Sequence, residues 1–497
     1  MIRSLGLCRA LAAALVVAGC AAAPAVDADS GADGLRMRLN RSLAVPALRE
    51  AQISALVVDR ETGGELFARN PDRALVPASN LKVLTGIAAL AAFGPTHRFS
   101  TEVLSNREPG ADGSVDALFI RGGGDPALTS EQWWRLAADL RIRGLRRVRG
   151  DLFMDDTLFD SERYHPSWGD DTFRAYHAPV GALSANYGAF YLAVAPASAP
   201  GVPARVSLDP PIPYLRLVNR AHTGAAGSPE SIEVKRVLAA DFEKIVVEGS
   251  IPAGSEPLDF WRSVARPAHY AGAVLRMQLE ANGIAVEGGV RMARVPDTAA
   301  SLYQFEGMAL GEVTRLFLKN SNNFIAESLV KSMAVRSVGG ASPGSWERGS
   351  AAQVAELESL GLDTTGLRLV DGSGLSYENQ VPARLLVRAL RIADASFEIG
   401  PEFGAALPIA AMDGTLERRA GAALGRVRAK TGLLTRVTGL TGFAKSVEGR
   451  EAVFSVLANG YRGSDKEAMR ALDGFAAALV NSLPKPQPAP SGERPRR

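Results

Sequence analysis

A serine and a lysine three positions apart, Ser79 and Lys82, lie in the segment PASNLK at the start of a run with helical apolar spacing. On a helix such a pair shares one face, so the lysine amine can reach the serine hydroxyl. The positive end of a helix disfavours a second positive charge, which would lower the pKa of the lysine toward that of a usable base. Because Ser-x-x-Lys arises by chance in most chains of this length, the pair alone is weak evidence for a nucleophile and its base.

Two motifs further along the chain change that balance: a Ser-x-Asn triplet between two predicted helices and a Lys-Thr-Gly run on a predicted strand. Their residues are Ser321, Asn323, Lys430, Thr431 and Gly432. A serine must lose its proton as it attacks a carbonyl, and a neutral lysine can accept that proton. A second serine can pass the proton to the leaving amine, while a lysine on a strand supplies positive charge. The three motifs together therefore favour acyl transfer through a serine.

Two other motifs match catalytic patterns only formally. The glycine-rich GGGDP, residues 122 to 126, lacks the Lys-Ser/Thr pair of a phosphate loop and predicts a turn at a strand end. GASPG, residues 340 to 344, matches the GxSxG pattern of hydrolases, in which the residue after the serine donates its backbone N–H to an oxyanion. That residue is Pro343, which has no N–H, so the match fails on mechanism.

The composition indicates a globular chain of more than one domain. A length of 497 residues exceeds what one compact core usually holds, and 46% of the residues are hydrophobic and 22% charged. Lys+Arg 56 against Asp+Glu 53 gives a net charge of +3. Such a near balance argues against a nucleic-acid partner, because proteins that bind nucleic acid usually carry a concentrated basic face.

The first 20 residues predict an export signal, because two arginines precede an apolar run too short to span a membrane. The signal ends in VAGC, which resembles a lipobox in which Cys20 is acylated and anchors a periplasmic protein to the outer membrane. Ordinary cleavage near residues 21 to 23 is the alternative. At the other end, residues 483–497 are Pro-rich and basic and predict a disordered tail.

Cysteine and histidine usage predicts neither a metal site nor a cofactor. The two cysteines are Cys8, inside the signal, and Cys20, so the body of the chain has no disulfide and no cysteine-based zinc site. The five histidines are scattered and show no HExxH spacing. They are His97, His165, His177, His222 and His269.

Strands predicted at both ends of the chain must position the three motifs. ISALVVDR and ELFARN, between residues 53 and 70, pair with three strands predicted between residues 426 and 459 in one antiparallel sheet covered by helices. Residues 101–299 form a separate, strand-rich block with one clear helix near its start. The predicted fold class is α+β, with a discontinuous domain of residues 34–100 and 300–482 around an inserted domain.

The motifs SxxK, SxN and KTG in that order resemble the signature of the penicilloyl-serine transferases. Ser321 lies more than twice as far from Ser79 as Lys430 lies from Ser321, which leaves room for the insertion. RGGGDP, YHAPVGALSANYG, LKNSNNFIAE and VDGSGLS extend the likeness. Over about residues 36 to 482 the chain resembles the D-alanyl-D-alanine carboxypeptidase/endopeptidase family, the low-molecular-mass class C penicillin-binding proteins (peptidase family S13).

The resemblance implies a transpeptidase-like domain whose inserted domain II, residues 101–299, holds a nested domain III at about 195–260. It also implies a role for each motif residue. Ser79 would be the acylated nucleophile and Lys82 its base. Ser321 would relay the proton, Asn323 would orient Lys82 and the substrate amide, and Lys430 would supply charge on the side of the substrate carboxylate.

The binding residues follow from the same resemblance. Thr431, Gly432 and Leu433 would line the substrate, and the backbone N–H groups of Ser79 and Leu433 would form the oxyanion hole. Relatives commonly carry Thr or Ser after KTG, so Leu433 shifts carboxylate recognition onto Thr431, Lys430 or Arg436.

Asp155, in FMDD, lies where relatives place an acidic residue that meets the amino end of a diaminopimelate side chain. A carboxylate that holds a turn at a strand end is the alternative for this residue.

The implied activity is that of an exported serine D-Ala-D-Ala carboxypeptidase and/or endopeptidase that acts on peptidoglycan peptides and is inhibited covalently by β-lactams. A β-lactamase or esterase on the same scaffold, or a cell-wall binding protein with weak or no turnover, are the alternative functions.

Overall fold

The computed structural model of the protein describes residues 32–169 and 173–483. The predicted export signal with Cys20 and, apart from Leu483, the predicted C-terminal tail lie outside the described residues. Among the helices that are described, none is both long and apolar enough to cross a membrane.

The first described elements bring the chain to Ser79. They are α1 (Ala32–Leu43), β1 (Gln52–Asp59), β2 (Glu65–Arg69), β3 (Ala74–Leu75) and α2 (Leu81–Phe93). β1 is buried from Ile53 to Asp59, as expected of a central strand covered on both faces. α2, with the sequence LKVLTGIAALAAF, is apolar almost all round and is buried in the interior.

The middle of the chain is rich in short strands. Its elements are β4 (Arg98–Ser105), β5 (Ser114–Val115), β6 (Leu118–Gly122), α3 (Ser130–Ile142), β7 (Arg147–Val148), β8 (Leu152–Asp155), β9 (Ala189–Ala195), β10 (Arg205–Asp209), β11 (Leu215–Gly224), β12 (Glu233–Leu238), β13 (Glu243–Pro252), β14 (Leu258–Ser263), α4 (Pro267–Ala281), β15 (Ala285–Val286), β16 (Val290–Met292) and β17 (Ala300–Ala309). They form a five-stranded sheet, β16-β8-β6-β4-β17, and smaller three-stranded sheets. The domain boundaries 101–299 and 195–260 stay predictions.

The last part of the chain returns to the first. Its elements are α5 (Leu310–Asn320), α6 (Asn323–Ser337), α7 (Trp346–Ser359), β18 (Val381–Pro382), α8 (Ala383–Ala395), α9 (Gly400–Ala406), β19 (Val427–Leu434), β20 (Val437–Lys445), β21 (Glu451–Asn459) and α10 (Asp465–Ser482).

The main sheet joins strands from both ends of the chain, as the sequence predicts. Its order is β19-β20-β21-β1-β2, and every neighbouring pair is antiparallel. β1 pairs with β21 along its whole length, from Gln52 opposite Asn459 to Asp59 opposite Ala452. β19, which carries the Lys-Thr-Gly run, lies at one edge of this sheet.

Helices cover both faces of the main sheet. On one face Val57 of β1 and Phe454 of β21 pack with α1 and α10. On the other face Leu56 of β1 and Leu457 of β21 pack with α2, α6 and α8. Successive residues of each strand thus enter opposite cores. The α+β prediction, an antiparallel sheet covered by helices with a strand-rich insertion, is confirmed.

Candidate active site

Ser79 lies in a tight turn directly ahead of α2. The turn is a 3₁₀ helix, Ala78–Asn80, so the α-helix itself begins just after the serine. Ala78 has a φ of 47°, a left-handed conformation that costs a non-glycine residue about 1 kcal/mol. Two glycines pack closely on the turn: a Cβ at Gly374 would overlap the Ala78 carbonyl, and one at Gly432 would overlap the Asn80 amide. This close packing holds Ser79 in one orientation, and its side chain is half-buried.

The amine of Lys82 is the centre of a hydrogen-bonded cluster. Its Nζ lies 3.0 Å from Ser79 Oγ, 2.7 Å from Asn323 Oδ1 and 2.7 Å from the Ser373 carbonyl oxygen. The three acceptors match the three N–H bonds of an ammonium, and the lysine is fully buried. The amine can therefore take a proton from Ser79 without any movement of the lysine side chain.

Burial controls the protonation of both lysines near Ser79. It lowers the pKa of Lys82 toward neutrality, and the carboxylates of Glu327 and Asp371 oppose that shift. Burial also lowers the pKa of Lys430 well below its usual range, helped by the positive charges of Lys82 and Arg419. The sequence correctly predicts that the pKa of Lys82 is lowered, but it attributes the shift to the positive end of a helix. The larger cause is the removal of the amine from water.

Ser321 and Asn323 flank the boundary between α5 and α6. Ser321 has a φ of 54° and ends α5, while Asn323 is the first residue of α6. Lys430 Nζ donates to Ser321 Oγ at 2.8 Å. Asn323 Nδ2 donates to the Tyr176 carbonyl at 2.8 Å, while its Oδ1 accepts from Lys82. The three motifs found in the sequence therefore meet in one place.

The edge strand β19 runs beside this cluster, and residues around Ile409 pair with its outer edge as far as Ala429. Leu434 pairs with Val437 across a two-residue turn, so these two residues form a hydrogen-bonded pair. The next pair, Leu433 and Thr438, is then a non-hydrogen-bonded pair. The N–H of Leu433 therefore points away from β20, to the open edge of the sheet. Its side chain is 43% exposed.

Hydroxyl groups near Leu433 are partly engaged with one another. Thr431 Oγ1 donates to Thr415 Oγ1 at 2.8 Å, and the Thr431 carbonyl accepts from Lys430 Nζ at 2.7 Å. Arg436 turns away from this region, because its Nε donates to the Tyr461 carbonyl at 2.9 Å. Of the three residues that the sequence offers for carboxylate recognition, Lys430 and Thr431 lie in the cluster.

Several residues of the site are not found by the sequence analysis. The Ser373 carbonyl, the buried Glu327 and the hydroxyl of Thr415 contact the cluster or support it. VDGSGLS contributes to the family likeness only as a whole, and a backbone carbonyl has no sequence signature of its own. The one available signal is the Asp-Gly-Ser-Gly run, residues 371 to 374, which is typical of a tight loop.

Asp155 is engaged within the strand-rich middle of the chain. It is the last residue of β8 and is buried, and its carboxylate accepts from Thr157 N at 3.0 Å and Val295 N at 2.8 Å. Thr157 Oγ1 donates to it as well, at 2.6 Å. These contacts fit the alternative of a carboxylate that holds a turn at a strand end. Its contact with substrate stays a prediction.

Within residues 32–169 and 173–483, no group of His, Cys, Asp or Glu side chains is arranged to hold a metal ion. The cluster around Ser79 instead has a nucleophile, a buried base and a second hydroxyl beside a lysine, which are the parts of serine acyl transfer.

A protein-family model, described as the D-Ala-D-Ala carboxypeptidase 3 (S13) family, matches residues 35–479. The D-alanyl-D-alanine carboxypeptidase of Actinomadura sp. strain R39 is 39% identical over 478 residues, which cover 92% of this chain and 87% of the relative.

Solved structures agree with the sequence match. The crystal structure of penicillin binding protein 4 from Haemophilus influenzae has a TM-score of 0.76 and 26% identity, and the match covers 90% of this chain and 99% of that one. The same protein complexed with a β-lactam has a TM-score of 0.71 and 25% identity, with the same coverage.

Proposed function

Since the chain belongs to the D-Ala-D-Ala carboxypeptidase 3 (S13) family, we propose that Ser79 is the nucleophile with which it cleaves peptidoglycan stem peptides. The protein is a serine-type D-Ala-D-Ala carboxypeptidase/endopeptidase. The scissile amide follows the penultimate D-alanine, and the leaving group is either free D-alanine or the amine of a crosslink.

The arrangement around Lys82 is the observation that carries this proposal. A buried amine 3.0 Å from Ser79 Oγ, with its pKa lowered by burial, is a base matched to a serine hydroxyl near neutral pH. Asn323 and the Ser373 carbonyl fix the amine from two other sides. A surface lysine next to a serine would lack both the burial and these partners.

Acylation begins when Ser79 Oγ attacks the D-alanyl carbonyl and its proton passes to neutral Lys82. The carbonyl oxygen then carries negative charge, which the backbone N–H groups of Ser79 and Leu433 stabilise. The orientation of the Leu433 N–H toward the open edge of β19 supports this role. A substrate strand laid along that edge would place its carbonyl within reach of both donors.

The leaving amine needs a proton before it departs. Ser321 delivers that proton, which comes from Lys82, and the Lys430 amine holds Ser321 Oγ in place by donating to it at 2.8 Å. The acyl-enzyme is an ester of Ser79, and a water molecule deprotonated by Lys82 then hydrolyses it. Ser79 regains its proton and the shortened peptide leaves.

β-Lactams acylate the same serine. Opening of the ring leaves the amine attached to the acyl group, so the leaving group cannot diffuse away and the ester persists. The complex of Haemophilus influenzae penicillin binding protein 4 with a β-lactam supports this expectation for a chain 25% identical to it.

The enzyme acts on the cell wall, and we propose that it is located in the periplasm. We further propose a lipid anchor at Cys20, based on the lipobox-like VAGC alone. The wild-type precursor should incorporate radiolabelled palmitate and Cys20→Ala should not. Equal incorporation by both proteins would exclude this anchor.

Labelling by a fluorescent penicillin tests the assignment of Ser79. The wild-type protein should carry the label through denaturing electrophoresis, and Ser79→Ala should carry none. Ser342→Ala is the matched control, because that serine lies in the GASPG motif that fails on mechanism, and it should label like wild type. Undiminished labelling of Ser79→Ala would refute the assignment, and rapid release of the label would favour a β-lactamase.

A further inference from the structure

A buried glutamate lies one helical turn beyond Asn323 on α6. Glu327 is fully buried, and its Oε1 accepts from the Ser373 N–H at 2.7 Å. Its Oε2 accepts from the Gly372 N–H at 2.9 Å and from Trp346 Nε1 at 2.8 Å. A buried carboxylate is costly unless it is hydrogen-bonded, and these three donors compensate that cost.

Ser373 connects this carboxylate to the proposed base. Its N–H donates to Glu327, and its carbonyl accepts from Lys82 Nζ at 2.7 Å. The preceding carbonyl, that of Gly372, accepts from Thr85 Oγ1 at 2.7 Å. The loop is thus held between α6 on one side and α2 on the other, with Glu327 as its anchor on α6.

We propose that Glu327 is a positioning residue for Lys82: through Ser373 it fixes the carbonyl that holds the amine beside Ser79, and it supplies a negative charge behind that amine. The proposal rests on the proposed function, because it assigns Lys82 as the base. Glu327 touches neither substrate nor reacting atoms, so it acts only through Lys82 and the loop.

The charges that face Lys82 come from three elements. Glu327 lies on α6, Asp371 lies at the start of the loop, and Lys430 lies on β19. Burial raises the pKa of Glu327, and the nearby Asp371 raises it further. Asp371 is itself held by the N–H groups of Gly374 and Ser376. The hydrogen bonds from Ser373, Gly372 and Trp346 oppose this rise and favour the ionised carboxylate. Removal of Glu327 therefore changes the field at Lys82 and also frees the loop.

The sign of the effect on pH dependence follows from these charges. The negative charge of Glu327 raises the pKa of Lys82, against the larger effect of burial. Without that charge the pKa of Lys82 falls further, so the amine becomes neutral at lower pH. Since acylation needs the neutral amine, the acidic limb of its pH profile moves to lower pH.

The test measures the second-order rate constant of acylation by fluorescent penicillin from acid to alkaline pH. In Glu327→Gln the single amide oxygen can accept either from Ser373 or from both Gly372 and Trp346, but not from all three. We expect the acidic limb to move to lower pH by about one unit and the plateau to fall roughly tenfold. Glu327→Asp keeps the charge but has a shorter side chain. The acidic limb of its pH profile should therefore lie at the wild-type pH, while its plateau rate constant falls.

Trp346→Phe is the matched control, because it removes one donor to Glu327 and leaves the charge and both peptide contacts. The acidic limb and the plateau of its acylation pH profile should match those of the wild-type protein, even though its melting temperature falls. The proposal is overturned if Glu327→Gln keeps the wild-type limb and loses no more rate than Trp346→Phe. If Glu327→Gln does not fold, a Glu327→Asp protein with the wild-type plateau overturns it. A wild-type protein that penicillin does not acylate would instead overturn the proposed function.

Discussion

Leu433 extends an apolar side chain from the open edge of β19, beside the Lys-Thr-Gly run. Its backbone N–H serves the oxyanion in the proposed mechanism, but its side chain has no hydrogen-bonding group for a terminal carboxylate. Lys430 and Thr431 are the groups nearby that can meet such a carboxylate. The preference between a free C-terminal D-alanine and an internal crosslink therefore depends on position 433.

Leu433→Thr should favour substrates that end in a free carboxylate. A hydroxyl hydrogen-bonded to a carboxylate contributes about 1.5 kcal/mol, which is roughly a tenfold change in kcat/KM. The measurement is the ratio of kcat/KM for a D-Ala-D-Ala peptide to that for the same peptide with an amidated C-terminus. Leu434→Thr is the control, because successive residues of a strand face opposite sides. A ratio that is equal in both variants would count against the assignment.

At the residue scale the sequence predicts which side chains form the site better than it predicts the backbone contacts and burial around them. Ser79, Lys82, Ser321, Asn323 and Lys430 could be selected because their types and order suit one reaction. The Ser373 carbonyl could not, because it belongs to the backbone of a loop whose path depends on distant contacts. The same holds for the pKa of Lys82, which is lowered by burial that no local pattern shows.

At the scale of elements, the loop of residues 371–376 must approach the Ser79 turn closely. Gly374 has a φ of 78°, and a Cβ there would overlap the Ala78 carbonyl. This approach explains why the loop can carry the Ser373 carbonyl to Lys82. A side chain at this position would push the loop and the turn apart.

Gly374→Ala should therefore reduce both acylation and stability, the latter by about 3 kcal/mol, because it combines a strained φ with an overlap. Gly361→Ala is the matched control, since Gly361 also has a positive φ, 82°, but has open space around it. We expect the control to lose about 1 kcal/mol and to keep its acylation rate. Urea unfolding and penicillin labelling measure the two effects. Equal behaviour of the two variants would show that the close approach is unimportant.

The elements themselves were predictable where their patterns are strong. ISALVVDR corresponds to β1 and SNLKVLTGIAALAAFG to the Ser79 turn and α2, because apolar periodicity and glycine ends mark them clearly. α4, Pro267–Ala281, is absent from the sequence predictions. Three of its eight buried residues are alanine or glycine, which weaken the periodic apolar signal.

At the scale of the whole molecule, residues 160–168 and Tyr176 of the strand-rich middle contact the elements that carry the site. Trp168 Nε1 donates to Asp371 at 2.9 Å, and Ser167 Oγ donates to Ser376 Oγ at 2.6 Å. The Tyr176 carbonyl accepts from Asn323. We propose that the inserted domain, predicted at residues 101–299, supports the site through these three contacts as well as shaping access to it.

An ion pair in the same region offers a test of that support. Lys331 on α6 is fully buried, lies 2.6 Å from Asp160, and has its amine 3.7 Å from the centre of the Trp346 ring. Asp160→Ala leaves that amine without its carboxylate and should cost about 3 kcal/mol of unfolding free energy. The exposed pair of Arg147 and Glu287 is the control, because Glu287→Ala should cost less than about 1 kcal/mol. Urea unfolding measures both, and equal losses would contradict the prediction.

The arrangement of the two regions was only partly predictable. The interval between the first two motifs indicates an insertion, but not which of its residues reach the site. Its place in FMDD predicts that Asp155 meets the substrate, yet its carboxylate accepts hydrogen bonds from Thr157 and Val295. Contacts such as that between Trp168 and Asp371 join residues distant in the chain and leave no local signal.

Digestion of purified peptidoglycan fragments tests the central claim most directly, because it reports the reaction, the substrate and the bond together. Wild-type protein and Ser79→Ala are incubated with pentapeptide monomers and crosslinked dimers. The products are separated and identified by mass spectrometry. The wild-type protein should release D-alanine or split the dimers, and Ser79→Ala should leave both substrates intact. Cleavage by Ser79→Ala at the wild-type rate, or no cleavage by wild type, would contradict the account.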